Sequence, residues 1–129
     1  MDKYEQFCLA LQNLKDIYDY EEPYTNVILT GLVALFEICY EKAWKAVKEK
    51  LLENGAGKGM IESPKAILKT AYQMGMIQDE EIWIRALKAR NHVAHDYNPM
   101  YALEIIRETK AEYYDMFCDL KSEIEKNWR

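Results

Sequence analysis

Apolar residues recur at intervals of three and four along most of the chain, the spacing that lines one face of an α-helix. Tyr4, Phe7, Cys8, Leu11, Leu14 and Tyr18 mark a first helix from Asp2 to about Tyr20. Pro23 ends that segment, because the residue before a proline is pushed out of helical geometry. Thr25 or Asn26 is placed to cap a second helix that runs to about Asn54. Its stripe of Leu29, Leu32, Val33, Phe36, Cys39, Tyr40, Ala43, Val47 and Leu51 has the near-heptad spacing of a bundle helix. Ser63-Pro64, a cap followed by proline at the first helical position, opens a third helix. Ala66, Ile67, Ala71 and Met74 form its inner face, and Gly75 is its natural stop. Asp79 caps a fourth helix, with Glu80 and Glu81 in the first turn, where the helix dipole favours negative charge. Asn98-Pro99 marks another start, and Ala102, Ile105, Ile106, Tyr113, Met116, Phe117, Leu120 and Ile124 share one side of a long last helix. Trp128 either extends that stripe or serves a contact with a second copy. The pattern predicts an all-α bundle of about five helices. Without an internal repeat or a linker, it reads as a single domain over residues 1–129.

The fourth helix carries the candidate chemistry. Ile82, Trp83, Ala86, Leu87, Ala89, Val93 and Ala94 fall on one broad arc at about 100° per residue. Arg90 lands near the middle of that arc, and Tyr97 falls almost on its line. Asn91 and His95, one turn apart, share the rim beside Arg90. Guanidinium stays protonated, so an arginine on an apolar face must find a carboxylate, a phosphate or water. Two readings follow. Arg90 is either a structural ion pair between helices or an anion-binding group beside a titratable histidine. Glu37, at the edge of the second helix's stripe beside Trp44, is the first candidate carboxylate. Glu41 lies further out and also has Lys45 within reach at i+4. His92, one turn from His95, and Asp96 raise a metal-site reading, but zinc wants three or four convergent ligands. No further His or Cys is near in sequence, so neither a metal nor a cofactor is expected.

Composition narrows the classes. Half of the 129 residues are hydrophobic, with only 5 Gly and 3 Pro, which suits a helical protein large enough for a real core. No apolar run has the length of a membrane span, and the N-terminus shows no signal-peptide pattern. The 3 cysteines, Cys8, Cys39 and Cys118, are scattered through helical stretches, as expected of reduced thiols in a cytoplasmic protein. The net charge of -5 argues against a dedicated nucleic-acid binder, so any RNA contact must be local or shared between subunits. The segment Glu53–Glu62 holds three glycines and Lys58, but it is not a phosphate loop. A helix precedes it, and Gly59 and Met60 follow the lysine where a Ser or Thr is required. Gly55 is a plausible C-cap there.

Arg90-x4-His95, with Asn91 after the arginine and Tyr97 two residues after the histidine, resembles the motif of the HEPN superfamily. Phe36-Glu37, Glu41, Ala43-Trp44-Lys45 and Lys48 resemble the second helix of its nucleotidyltransferase substrate-binding branch, the toxin half of HEPN/MNT toxin–antitoxin pairs. Ser63-Pro64, Ala71, Gly75-Met76-Ile77 and Trp83 resemble that branch's middle section, so the likeness runs from about Val27 to about Tyr97. It implies an antiparallel up-and-down helical bundle and a metal-independent endoribonuclease. His95 would act as base or acid, Arg90 would hold the phosphate, and Asn91 would orient His95 or a phosphate oxygen. It implies a homodimer in which two motif copies meet, adding Lys88 and Arg85 to the local positive charge. It further implies a minimal nucleotidyltransferase partner that adenylylates Tyr97; the alternative for Tyr97 is a core tyrosine at the site's edge. Two other functions stand beside the ribonuclease. One is a non-catalytic substrate-binding subunit of a two-component nucleotidyltransferase. The other is a structural adaptor in which Arg90 is an ion pair.

Overall fold

The computed structural model describes residues 1–129, and every regular element in it is helical. The elements are α1 (Lys3–Leu14), continued by a 3₁₀ turn at Lys15–Asp19, α2 (Asn26–Glu53), α3 (Pro64–Gln73), α4 (Glu80–His95), α5 (Pro99–Glu108) and α6 (Tyr114–Asn127). A π-turn at Thr109–Tyr113 joins α5 to α6 without a break, so the two form one C-terminal rod and the bundle has five helical rods.

The ends of these helices follow from side-chain chemistry. Asp2, Thr25, Ser63, Asp79 and Asn98 each accept a hydrogen bond from a backbone N–H of the first turn. Thr25 is therefore the cap of α2. Gly55 and Gly75 stop α2 and α3 at φ +90 and +83, a left-handed geometry that costs glycine little. In both, the next N–H reaches back to a carbonyl of the last turn: Ala56 to Leu51 at 3.0 Å and Met76 to Ala71 at 2.8 Å.

Contacts between ends give the directions. The Lys3 N–H donates to Glu49 at 3.2 Å, so α1 runs against α2. The Tyr4 hydroxyl donates to Glu125 at 2.6 Å, and Tyr18 meets Tyr114 edge-on at 5.4 Å, so α1 also runs against the rod. Trp83 packs on Phe117 and His92 on Tyr101, so α4 runs against the rod as well. One contiguous core joins all five rods. At its centre Phe117, with no exposed surface, touches the rings of Phe7, Phe36, Tyr40 and Trp83 at 5.5–6.3 Å. Burial of this aromatic cluster supplies much of the drive to fold.

The predicted stripes of α2 and of the rod are buried throughout. Three details differ. The first helix tightens to 3₁₀ after Leu14, and three residues per turn bring Ile17 beneath Leu14; Ile17 is therefore buried while Tyr18 turns outward. In α3 the buried residues are Ile67, Leu68, Thr70 and Ala71, with Ala66 and Met74 only half-buried. Thr70 and Thr109 enter the core because their hydroxyls donate to the Met60 and Ile105 carbonyls at 2.7 and 2.6 Å. No helix is long and apolar enough to cross a membrane.

Candidate functional site

The site begins with a pin between α2 and α4. Tyr40, fully buried, donates its hydroxyl hydrogen to the Trp83 carbonyl at 2.7 Å, and the two rings lie 5.7 Å apart. Burial holds the Tyr40 proton firmly, with Arg90 pulling the other way. Two turns beyond Trp83, α4 thus delivers Arg90 into the seam beside Glu37 and Tyr40. Val93 is buried, while Ala94, on the same arc, is exposed. The apolar seam therefore closes at Val93, and the last turn of α4 stands free with polar side chains.

Arg90 is half-buried, and its Nε has no exposed surface and no hydrogen-bond partner. Its only protein acceptor is the Asn91 side-chain oxygen, which takes a hydrogen bond from Nη1 at 3.3 Å. No carboxylate closes an ion pair with it. Glu41 is instead held by Lys45 at 2.8 Å, and that hydrogen bond keeps its carboxyl below the usual range. Glu37 has no hydrogen-bond partner; burial raises its pKa, and the Arg90 charge only partly offsets this. Of the two readings of Arg90, the ion pair with Glu37 or Glu41 is therefore not formed. Lys45, four residues on along the same helix, captures Glu41, while Glu37 feels Arg90 as a field without contact.

His95 is the last residue of α4 and is exposed, with a ring that makes no hydrogen bond to the protein. Asp96 leaves helical geometry, and Asn98 caps α5 by accepting from the Met100 N–H at 2.8 Å. Tyr97 sits in the elbow between these two events, 51% exposed. The alternative of a core tyrosine is thereby overturned. His92 turns to the other flank, stacking on Tyr101 at 4.0 Å between ring centres. No three His, Cys, Asp or Glu side chains converge anywhere in the fold.

Arg90, Asn91 and Glu37 are thus brought together, His95 and Tyr97 stand at the free tip of the same helix, and Glu41 belongs to a neighbouring pair. One and two turns along α2 from Glu41, Trp44 and Lys48 line a hollow of about 380 Å³ together with Lys3 and Lys45. Sequence reasoning missed Tyr40 as the pin of the site. The signal was present, since a tyrosine in an apolar stripe must find a hydrogen-bond acceptor when buried. Chemically, the tip combines a guanidinium whose donors the protein leaves largely unused, a titratable imidazole and a solvent-facing phenol.

The family described as nucleotidyltransferase substrate binding protein like has a sequence model that matches residues 2–126. Among curated proteins, none matches the chain.

Proposed function

The chain belongs to the nucleotidyltransferase substrate binding protein like family, and on that premise we propose that it is a HEPN-type toxin, a metal-independent endoribonuclease silenced by a minimal nucleotidyltransferase. The observation that carries this reading is Arg90. A half-buried guanidinium without a carboxylate partner, and with a buried Nε that donates to nothing, is costly unless an anion completes it. A phosphodiester supplies two oxygens in the geometry of the guanidinium fork. His95 removes the proton of the ribose 2′-OH, O2′ attacks the adjacent phosphorus, and the bond to the 5′ oxygen breaks as that oxygen takes a proton from the protonated His95 of a second copy of the chain. Arg90 stabilises the charge that gathers on the phosphate, and Asn91 fixes the guanidinium.

A second copy of the chain supplies the second motif. The surface we assign to that contact is the outer side of α2 next to Glu37. There Val27, Gly31, Ala34 and Ile38 repeat at helical spacing without a charge, and Val27 is 80% exposed. Tyr97 is the residue on which the partner transfers its nucleotide, and its exposure in the elbow gives a foreign active site access to the phenol. The same exposure supports the second reading, in which the chain is a non-catalytic subunit that presents a substrate or its own tyrosine.

RNA cleavage in EDTA by wild type, His95→Ala and Arg90→Lys, each verified as folded, separates the two. Cleavage by wild type that both variants lose is the expected result. No cleavage of diverse RNAs by folded, unmodified protein, together with nucleotide transfer onto Tyr97, transfers the assignment to the presenting subunit.

A further inference from the structure

A second feature lies on the other flank of α4, away from Asn91 and His95. Glu104, Glu108, Glu112, Asp115, Asp119 and Glu123 follow one another at spacings of three and four along one edge of the C-terminal rod. They border two hollows between the rod and the α3–α4 region. One, of about 270 Å³, is lined by Arg85, Ala89, His92, Tyr101 and Ile105 below Glu104 and Glu108. The other, of about 480 Å³, has a floor of Met76, Ile77, Ile82, Trp83, Met116 and Leu120 below Asp79, Glu112, Asp115, Asp119 and Glu123. The Arg85–Glu112 ion pair stands between them.

Most of this stripe does not serve the rod that carries it, although Glu123 accepts hydrogen bonds from the Asn127 and Trp128 side chains at 2.8 and 3.1 Å. Like charges at i,i+4 weaken a helix, and of the six carboxylates only Glu112 has a cation partner. Glu108 shows the strain of crowding: burial first, then its hydrogen bond to Glu112, raises its pKa. Lys126 is the one lysine that borders either hollow. The carboxylates repel RNA, and the half-buried Ile82, Ala89 and Tyr101 leave apolar area that a free metal ion or a polyamine would not cover.

We propose that this groove docks a basic amphipathic helix of another protein, with apolar side chains in the two hollows and lysines or arginines against the carboxylate stripe. From Glu104 to Glu123 the stripe extends about 28 Å, a little over five helical turns, so an occupant of about 18 residues covers it. Its apolar anchors would follow the i, i+3, i+4, i+7 pattern of helix-in-groove recognition. The site is independent of the Arg90 chemistry, and its occupation leaves Asn91 and His95 uncovered.

The test uses the full chain and a synthetic helix of about 18 residues made of leucine on one face and lysine on the other, labelled for fluorescence anisotropy. A scrambled peptide of the same composition reports charge attraction alone. Asp115→Asn with Asp119→Asn removes groove charge, and Asp16→Asn with Glu21→Gln removes the same charge elsewhere; circular dichroism verifies both folds. The proposal expects saturable binding that weakens about tenfold for the scrambled peptide and about tenfold for the groove variant, with the control variant close to wild type. Absence of binding, equal binding of the scrambled peptide, equal loss in both variants, or complete displacement by spermine at the peptide's own concentration would each overturn it.

Discussion

Arg90 lies close enough to Glu37 to pull its proton affinity down, yet no ion pair closes between them. Burial outweighs that pull, so Glu37 holds its proton more tightly in the folded protein than in the unfolded chain. As pH rises from 4.5 through the higher folded value, the folded state binds more protons than the unfolded one, and stability falls. The cost of the ionised carboxylate is fully present above that window and absent well below it. Glu37→Gln should therefore raise the urea midpoint at about pH 7 and leave it unchanged at about pH 3. Equal midpoints at both values would show that Glu37 is not strained.

Replacing Arg90 gives a result of opposite sign from that of a structural ion pair. Breaking a buried pair costs about 3–5 kcal/mol. Here Arg90→Met removes a donor that the protein leaves unsatisfied, so stability should stay level or rise by about 1 kcal/mol while anion binding is lost. Chemical denaturation and phosphate titration on the same two proteins check both halves of the statement.

Phe117 is the residue on which four other aromatic rings converge. Phe117→Ala should cost about 3–5 kcal/mol, because four of the five rods meet there and cannot collapse into the space. A loss under about 1 kcal/mol by urea denaturation would mean that the rods repack around it.

The dimer surface assigned on α2 predicts a change of mass without a change of fold. A charge in an uncharged contact stays unpaired when buried. Ile38→Glu should therefore give a monomer by sedimentation with an unchanged helical spectrum, and RNA cleavage should fall with it. If Ile38→Glu sediments like wild type, the second copy sits elsewhere or is absent.

Tyr97 predicts a modification with one acceptor among 10 tyrosines. Incubation with the cognate nucleotidyltransferase and a nucleoside triphosphate should add one nucleotide to wild type and none to Tyr97→Phe. Tyr18 and Tyr20 are also exposed, at 41% and 43%, so peptide mass mapping rather than intact mass decides which phenol is used.

The helices, their caps and the buried faces of α2 and the rod could be read from the sequence because periodicity reports which side of a helix meets its neighbours. Family membership was legible from short motifs around Trp44, Gly75 and Arg90. What could not be read was the identity of each polar partner. Periodicity placed Arg90 on an apolar arc and Glu37 at the edge of another, but whether two such side chains meet depends on shifts of an ångström between packed helices. The 3₁₀ turn after Leu14 escaped for a related reason: a change from 3.6 to three residues per turn leaves no mark until it swaps Ile17 for Tyr18. The acidic stripe keeps to one edge over 20 residues, but that this edge borders a groove becomes visible only when the rod is seen to run beside α4.

That stripe also gives the molecule a polarity that its net charge of -5 conceals. Carboxylates dominate one edge of the C-terminal rod, while Lys3, Lys45 and Lys48 gather around Trp44 on α2. A long polyanion approaching in solution is turned away from the first edge. Orientation is thus selected during the encounter, over distances of about 10 Å set by the ionic atmosphere. Added salt blurs that selection as well as weakening attraction, so productive and unproductive collisions become more alike.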